Sequence, residues 1–488
     1  MRGRWLSPKK NLFEKIPGIL NSLPELRLVL GFDSALSLYQ KEVPIPLRAW
    51  AEAEKTPRDP ALRTLTDKIT PETLASLIYT SGTTGVPKGV MLTHHNFIQN
   101  VIGCKEAFQM SQSEAHLSFL PLCHVFERTA GYYLMVYIGA SIAYAENLDT
   151  VAANIVEARP TFLLGVPRFY EKTRARVTEA VQKADPLRQG LFLWAKELRR
   201  KERCGEKVGL KDLLLKPLAE ALVYKKFKQR LGGRIRFCVS GGAPLAKELA
   251  EFFYDLGVLI CEGYGLTETA PVMTANREDR WRFGSVGIAL DGVDIKITPE
   301  GEIITRSSSV MKGYYRRPEE TAEVLRDGWF YTGDLGHLDR EGFLFITGRK
   351  KEILVTSGGK KVSPRPIEEL LEQDPFILRC VLYGEGKKYI TALIVPRMEA
   401  LLRHAQEQKI DFSRPEQLLK DKKVVEFLDA RVQQLLKDLA SYEKIKYFVL
   451  REHDFTQAAG ELTPTLKVKR EVALSRHRAE LDALYAGD

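Results

Sequence analysis

Six cysteines in 488 residues, at 104, 123, 204, 238, 261 and 380, form neither a Cys-x-x-Cys pair nor a ladder of short even spacings. That scarcity excludes a disulfide framework and a cysteine zinc site, and makes a reducing cytoplasm the expected compartment. The eight histidines show no metal spacing. The N-terminus, Met1-Arg-Gly-Arg-Trp-Leu-Ser-Pro-Lys-Lys10, lacks the apolar stretch of a secretory signal. Long apolar runs are lacking too. Thr129 to Ala145 is uncharged, but it falls short of the roughly 20 residues that span a bilayer, and it reads as core. There is no internal repeat and no recognised nucleic-acid module, and basic charge alone supplies only nonspecific phosphate affinity.

What is present is ordinary globular composition, 44% apolar and 28% charged. At roughly 150 residues per domain, the length fits about three domains or one large and one small. The formal net charge of +10 is unevenly placed: between Glu171 and Arg236 there are 19 Lys or Arg against 8 Asp or Glu. Apolar spacing in that segment (Leu191, Phe192, Trp194, Leu198, then Leu213, Leu214, Leu218, Leu222) fits amphipathic helices. One reading is a solvated helical insertion. The other is a basic amphipathic surface that docks on anionic lipid, a peripheral association with the inner face of a membrane.

From Leu74 onward, short apolar runs alternate with helical periodicity, which predicts βα units and a largely parallel sheet. The strands expected are Leu74 to Tyr79, Leu117 to Leu120, Ser141 to Ala145, Thr161 to Val166, Ile235 to Ser240 and Val258 to Glu262. Helices are expected over Asn96 to Phe108, capped by Thr93, and over Asp149 to Ala158, stopped by Pro160. Between Phe283 and Gly348 the period changes to 2 with glycine punctuation, predicting an antiparallel barrel or sheet. A third part, Lys351 to Asp488, reads as α+β: a strand-turn-strand at Ser357-Gly358-Gly359, a helix over Pro366 to Glu372, strands Ile377 to Tyr383 and Ile390 to Val395, then charged helical sequence. The first 70 residues, rich in Pro and Leu, carry no clear pattern.

The densest motif is Tyr79-Thr80-Ser81-Gly82-Thr83-Thr84-Gly85-Val86-Pro87-Lys88-Gly89, placed after a predicted strand. Glycines let backbone N–H groups point inward as an anion nest, hydroxyls add donors, and Lys88 adds a point charge, so the loop suits phosphate. It is not a Walker A loop, which needs Gly where Pro87 stands and Ser or Thr after the lysine.

Together with this loop, six further motifs resemble the adenylate-forming acyl-CoA synthetases (AMP-binding enzymes), within them the long-chain fatty acid CoA ligase group. They are Pro121-Leu-Cys-His-Val-Phe-Glu-Arg, Gly165-Val-Pro-Arg-Phe-Tyr-Glu-Lys, Glu262-Gly-Tyr-Gly-Leu-Thr-Glu-Thr, Tyr331-Thr-Gly-Asp-Leu-Gly, Gly348-Arg-Lys-Lys-Glu-Ile-Leu-Val-Thr-Ser-Gly-Gly-Lys and Leu462-Thr-Pro-Thr-Leu-Lys-Val-Lys-Arg. They stand in the family's order. The resemblance implies a large AMP-binding domain over 1–348, with the basic insertion at 171–236, and a small mobile domain over 349–488. It implies ATP, Mg²⁺ and coenzyme A, and two steps. A fatty carboxylate attacks the α-phosphate of ATP to give acyl-adenylate and diphosphate, then the CoA thiol displaces AMP.

The same resemblance assigns roles. Thr80, Ser81, Gly82, Thr83, Thr84, Gly85 and Lys88 would hold phosphates, Thr80 and Glu268 the Mg²⁺, a hard ion that takes oxygen ligands. Tyr264, Gly265, Leu266 and Thr267 would contact the adenine and α-phosphate, and Gly241, Gly242, Ala243, Glu262 and Gly263 would be further cofactor-binding residues. Asp334 would accept the ribose hydroxyls, Arg349 would contact ribose or phosphate, and Lys351 would be the hinge. Lys467 would bridge carboxylate and α-phosphate during adenylation, with Lys469 the competing assignment. Removing such a donor costs roughly 10²- to 10³-fold. Gly358, with its neighbours, would line the CoA path. His124 would shape and polarise the acyl and phosphate pocket, since a fatty carboxylate is ionised at neutral pH and needs no base; a satisfied core histidine is the alternative. Gly165, Val166, Pro167 and Arg168 would gate an acyl tunnel. A dozen buried methylenes at ~0.8 kcal/mol each give on the order of 10 kcal/mol of gross binding.

Members of the group carry roughly 100 to 200 residues, a further domain's worth, before the strand at Leu74. Only about 70 precede it here, so an N-terminally short chain is the expectation. Two alternative functions stay open: an inactive or incomplete ATP-binding fragment, and an acyl-adenylate ligase that delivers to a carrier protein.

Overall fold

The computed structural model describes residues 4–7, 18, 20–31, 40, 44–57, 59–80, 87–147, 149–462 and 468–486. The chain forms two compact units, Met1–Thr70 and Pro71–Asp488. In the first, Arg4–Ser7, Leu28–Gly31 and Leu47–Ala49 pair as a parallel three-stranded sheet, followed by the short helices Trp50–Glu54 and Ala61–Thr66.

The second unit is built around a seven-stranded sheet. Five of its strands run parallel in the order Ser141–Tyr144, Ala115–Ser118, Phe162–Gly165, Phe237–Ser240, Leu259–Gly265. Val272–Ala275 and Ile288–Ala289 extend it antiparallel. Side-chain alternation along the central strands splits the interior in two. Leu163, Cys238 and Ile260 enter one core, beneath the helices Pro167–Gln182, Pro186–Arg203 and Lys247–Tyr254. Phe162, Leu164, Phe237, Val239 and Cys261 enter the other, with side chains from the helix His94–Ala107. Both faces are covered, which is why these strands read as continuous apolar runs.

The helix His94–Ala107 begins where Thr93 predicts. The Thr93 hydroxyl accepts from the Asn96 N–H, and Asn96 Oδ1 accepts from the Thr93 N–H, at 3.2 and 2.8 Å. Two expectations fail. Leu74–Thr80 is not a strand of the parallel sheet; it pairs antiparallel with Lys88–Thr93, and Gly313–Tyr314 adds to the same small sheet. Only seven residues separate the two strands, and a parallel crossover needs a dozen or more. Thr129 to Ala145 is core in part only. The π-helical turn Glu127–Tyr133 and helix Leu134–Ile138 bury Thr129, Ala130 and Met135, while Val136, Tyr137 and Tyr144 are exposed.

Beyond the sheet, Val293–Ile297, Glu302–Ser307, Leu325–Arg326, Trp329–Leu338 and Leu344–Arg349 form the expected antiparallel sheet. The C-terminal part packs helices Pro364–Glu372 and Lys422–Leu435 against the three-stranded sheet Ile377–Tyr383, Ile390–Pro396, Ile445–Leu450, and helix Met398–Glu407 joins its last strand through Phe448 and Leu450. Among the described residues, no helix is long and apolar enough to cross a membrane.

Candidate active site

A cleft of about 4410 Å³ opens at the carboxyl ends of the parallel strands, where open α/β sheets place their ligands. It is walled by loops after those strands, by the antiparallel sheet and by the C-terminal part. Strand register brings its most ordered group together. Asp334 and Arg349 stand opposite each other on adjoining strands. Arg349 Nε donates to Asp334 Oδ1 at 2.7 Å, and the Tyr264 hydroxyl donates to Asp334 Oδ2 at 2.7 Å. Desolvation works against the Arg349 charge, but the adjacent carboxylate outweighs it and lifts the guanidinium above its usual pKa. Burial, reinforced by Asp334, pushes the Tyr264 phenol up, keeping it a donor.

A second group forms around Lys88, at the start of the hairpin's second strand. Its ammonium pairs with Glu320 at 2.5 Å and sits 5.0 Å from the centre of the Tyr314 ring. The Tyr314 hydroxyl donates to Glu268 Oε1 at 2.9 Å. Pairing of Tyr314 with Val90 places this phenol two residues from Lys88 across the small sheet. Burial raises the pKa of Glu268 and of Tyr314. The lysine's hydrogen bond lowers that of Glu320.

Gly241, Gly242 and Ala243, following the strand Phe237–Ser240, line the cleft, as do Glu262 through Glu268. Gly242 has φ +79°, open to glycine. At Gly265 a Cβ would lie 1.8 Å from the Pro271 carbonyl oxygen, so only glycine fits. The Glu262 carboxylate is buried; its Oε1 accepts from the Leu245 N–H at 3.2 Å, and burial raises its pKa to about 8. His124 is half-buried on the cleft wall, its Nδ1 accepting from the Phe126 N–H at 3.3 Å. Val166, Pro167 and Arg168 line the cleft at the start of Pro167–Gln182. Gly165 lies behind them, where a Cβ would meet the Tyr170 hydroxyl at 2.8 Å. The cleft continues among apolar side chains, including Phe108, Phe126, Phe162, Leu164, Phe237 and Val239.

Lys351 is exposed in the one-turn helix Lys350–Glu352 that follows Arg349, and it lines the cleft. Its neighbour Lys350 donates to the buried Glu302 carboxylate at 2.8 Å. Gly358 is exposed between the strands Leu354–Val355 and Lys361–Val362 and is not among the cleft-lining residues. Ser81, Gly82, Thr83, Thr84, Gly85 and Lys467 lie outside the described residues. Leu462 and Val468 pair with each other, and Lys469 lines the cleft.

Thr80 and Glu268 both line the cleft. Among the described residues, no group of three or more His, Cys, Asp or Glu gathers as a metal cage. One carboxylate and one hydroxyl fit Mg²⁺, which keeps waters and binds chiefly through substrate phosphates.

Sequence reasoning missed Tyr314, Glu320 and the Glu302–Lys350 pair. The Gly313-Tyr-Tyr-Arg-Arg-Pro run carries no signal of chemistry; only sheet register links it to Lys88.

The fold is that of the adenylate-forming enzymes, and sequence comparison agrees. The AMP-binding enzyme family model matches residues 23–315, and the AMP-binding enzyme C-terminal domain model matches residues 351–488. The chain belongs to the AMP-binding enzyme family. It is 36% identical over 442 residues to the long-chain-fatty-acid–CoA ligase FadD15 of Mycobacterium tuberculosis, covering 89% of this chain and 72% of that protein. It is 31% identical over 505 residues to the long-chain-fatty-acid–CoA ligase ACSBG2 of Gallus gallus, covering 96% of this chain and 66% of that one. Among solved structures, ATP-bound MatB from Rhodopseudomonas palustris superposes with a TM-score of 0.65 at 23% identity, covering 95% of this chain and 82% of that one. MenE from Bacillus subtilis, in complex with the acyl-adenylate OSB-AMP, superposes at 0.64 and 20%, covering 94% and 80%.

Proposed function

We propose that this chain is an ATP-dependent long-chain fatty acid CoA ligase, converting fatty acid, ATP and CoA into acyl-CoA, AMP and diphosphate. The observation that carries the reading is the Tyr264–Asp334–Arg349 constellation, set in one cleft with Lys88, Glu268 and an apolar extension.

In the first step, a carboxylate oxygen bonds to the α-phosphorus and the bond to diphosphate breaks. Charge grows on the phosphoryl oxygens, so preorganised cations and N–H donors dominate catalysis. Lys88 meets the phosphates with residues 81–85, Asp334 and Arg349 orient the ribose, residues 264–267 contact the adenine and α-phosphate, and residues 241–243 and 262–263 complete the nucleotide pocket. Glu268 and Thr80 would hold Mg²⁺, which would neutralise phosphate charge. Lys467 reaches the reacting carboxylate and α-phosphate. His124 polarises the pocket, and Gly165 through Arg168 gate the acyl chain.

In the second step the CoA sulfur bonds to the acyl carbon, the thiol proton leaves, and AMP departs. The small domain, 349–488, rotates about Lys351 and presents its Ser357 to Lys360 turn to CoA. That these four residues are exposed and away from the cleft supports a separate face for this step. The basic segment 171–236 holds the enzyme peripherally at the inner face of a membrane, where its substrate partitions.

The test is formation of AMP and palmitoyl-CoA by the purified chain supplied with palmitate, ATP, Mg²⁺ and CoA. Equal yields of both support the reading. A folded chain that binds ATP yet makes neither removes it.

A further inference from the structure

The helix Leu210–Ala219 runs on through the π-helical turn Glu220–Tyr224 into Lys225–Arg230, and it is turned with its apolar stripe outward. Its inner side holds Ala219, Val223, Tyr224 and Phe227, all buried in the core beside the parallel sheet. Polar contacts pin the same side: Trp194 Nε1 donates to Asp212 at 2.8 Å, Lys216 pairs with Glu202 at 2.5 Å, and the Tyr224 hydroxyl donates to the Ala195 carbonyl at 2.6 Å. Leu210, Leu213, Leu214, Leu218 and Leu222 follow one another at i, i+3, i+4, i+8 and i+12, the spacing of a single helix face. They are 76, 54, 73, 44 and 38% exposed.

An ordinary surface helix hides such a stripe in the core. Adjacent exposed leucines of this kind mark an interaction surface. The surrounding charge selects the partner. Between Gly205 and Arg230 there are seven Lys or Arg against three Asp or Glu, and of the acids Asp212 is engaged by Trp194 and Glu220 lies 3.9 Å from Arg199. Lys207, Lys211, Lys225 and Lys226 are exposed beside the leucines. An apolar ridge rimmed by cations is complementary to an anionic bilayer, with acyl chains to receive the leucines and phosphates to meet the lysines. A second copy of the chain would oppose two rims of the same sign.

We infer that this helix is the membrane-docking element, entering the interface of an anionic lipid surface through Leu210, Leu213, Leu214, Leu218 and Leu222. The inference deepens the membrane association proposed above, and it rests on the ligase reading for its purpose: a docked enzyme meets its acyl substrate where that substrate dissolves.

The experiment is co-sedimentation of the full chain with vesicles of phosphatidylglycerol and phosphatidylcholine in equal parts, and with phosphatidylcholine alone, at low and high salt. Wild type should pellet with the anionic vesicles and be released in part by salt. The variant Leu214→Gln/Leu218→Gln should partition about tenfold more weakly, because burial of the apolar face drives insertion. Lys211→Gln/Lys225→Gln/Lys226→Gln should lose the preference for anionic lipid. Both variants should form acyl-CoA from detergent-solubilised palmitate at the wild-type rate. Wild type that ignores both vesicles while making acyl-CoA overturns the inference and leaves the ligase reading standing. Vesicle binding lost in the leucine variant, with no acyl-CoA made by any form, supports the inference and removes the ligase reading. A lipid-free dimer in sedimentation velocity that the leucine variant dissolves gives the ridge to a second copy, and that result also overturns the inference.

Discussion

Arg349 Nε meets Asp334 Oδ1 at 2.7 Å while the Tyr264 hydroxyl meets Asp334 Oδ2 at 2.7 Å, so both oxygens of one buried carboxylate are held by donors of the protein itself. A carboxylate fixed from both sides needs little reordering to accept ribose hydroxyls, which favours binding by preorganisation. Asp334→Ala should weaken ATP binding by about 1.5 to 3 kcal/mol, roughly ten- to 150-fold, the worth of hydrogen bonds to a charged group. Tyr264→Phe removes only one of the two donors that hold this carboxylate and leaves the carboxylate in place, so it should cost less, about fivefold. Isothermal titration with ATP measures both; an Asp334→Ala affinity equal to wild type would remove this residue from the nucleotide site.

Lys88 is engaged by Glu320 in this structure, and in its proposed role the phosphates would compete for it. The pair is partly solvated, and ion pairs of that kind contribute little. Glu320→Gln should therefore tighten ATP by a few-fold at most and lower the unfolding midpoint slightly, while Lys88→Ala should loosen ATP and slow adenylation. Looser ATP binding in Glu320→Gln would show that this contact positions the lysine rather than competing for it.

Glu268→Ala should raise the Mg²⁺ concentration needed for half-maximal adenylation and lower the maximal rate by about 10²-fold, comparable to removing a preorganised charge from a transition state. An unchanged Mg²⁺ titration would take Glu268 out of the metal site. Tyr314→Phe removes the hydroxyl that holds this carboxylate, and it should shift the same titration by a smaller factor.

Lys467→Ala should abolish adenylation, by about 10²- to 10³-fold or more, and spare thioester formation from supplied acyl-AMP. Equal loss of both half-reactions would contradict the two-face account. If Lys469→Ala alone gives the selective loss, the catalytic role passes to that residue.

Glu262 is neutral when its carboxyl, pushed up to about 8 by burial, is protonated, and the acidic Glu369 adds a smaller push in the same direction. Between the unfolded value near 4.5 and the folded value near 8, the native state keeps a proton that the unfolded state has lost. This contribution to stability is complete below pH 4.5 and falls as pH rises through 8, by about 1.4 kcal/mol per pH unit in mid-window. Urea unfolding of wild type and Glu262→Gln across that range measures it; the difference between them should change with pH, and a constant difference would contradict the assignment.

The parts of the fold that could be read were those fixed by local chemistry. Thr93 announces its helix because an N-cap is a local hydrogen bond. Phe162-Leu-Leu-Gly and Phe237-Cys-Val-Ser announce buried parallel strands because both faces of their sheet are covered. Leu74 to Thr80 misled, since apolar alternation is the same for a hairpin strand and a parallel one; the seven-residue connection to Lys88 was the available signal. In the site, Asp334 and Arg349 were legible as motif residues, but their union is a product of strand register. Tyr314 and Glu320 were illegible because they meet Lys88 only through pairing of distant strands and the helix beside them. The leucines at 213, 214, 218 and 222 showed helical spacing, yet spacing does not say which way a face turns. Trp194, Glu202 and the buried Tyr224 decide that.

In the proposed reaction a carboxylate oxygen of the fatty acid becomes bonded to the α-phosphorus of ATP. Palmitate labelled with oxygen-18 in its carboxylate, incubated with the purified chain, ATP, Mg²⁺ and CoA, tests it directly by mass spectrometry of the nucleotide released. The account predicts AMP carrying one labelled oxygen, formed in step with palmitoyl-CoA. Unlabelled AMP, or ADP and phosphate as the products, would contradict it.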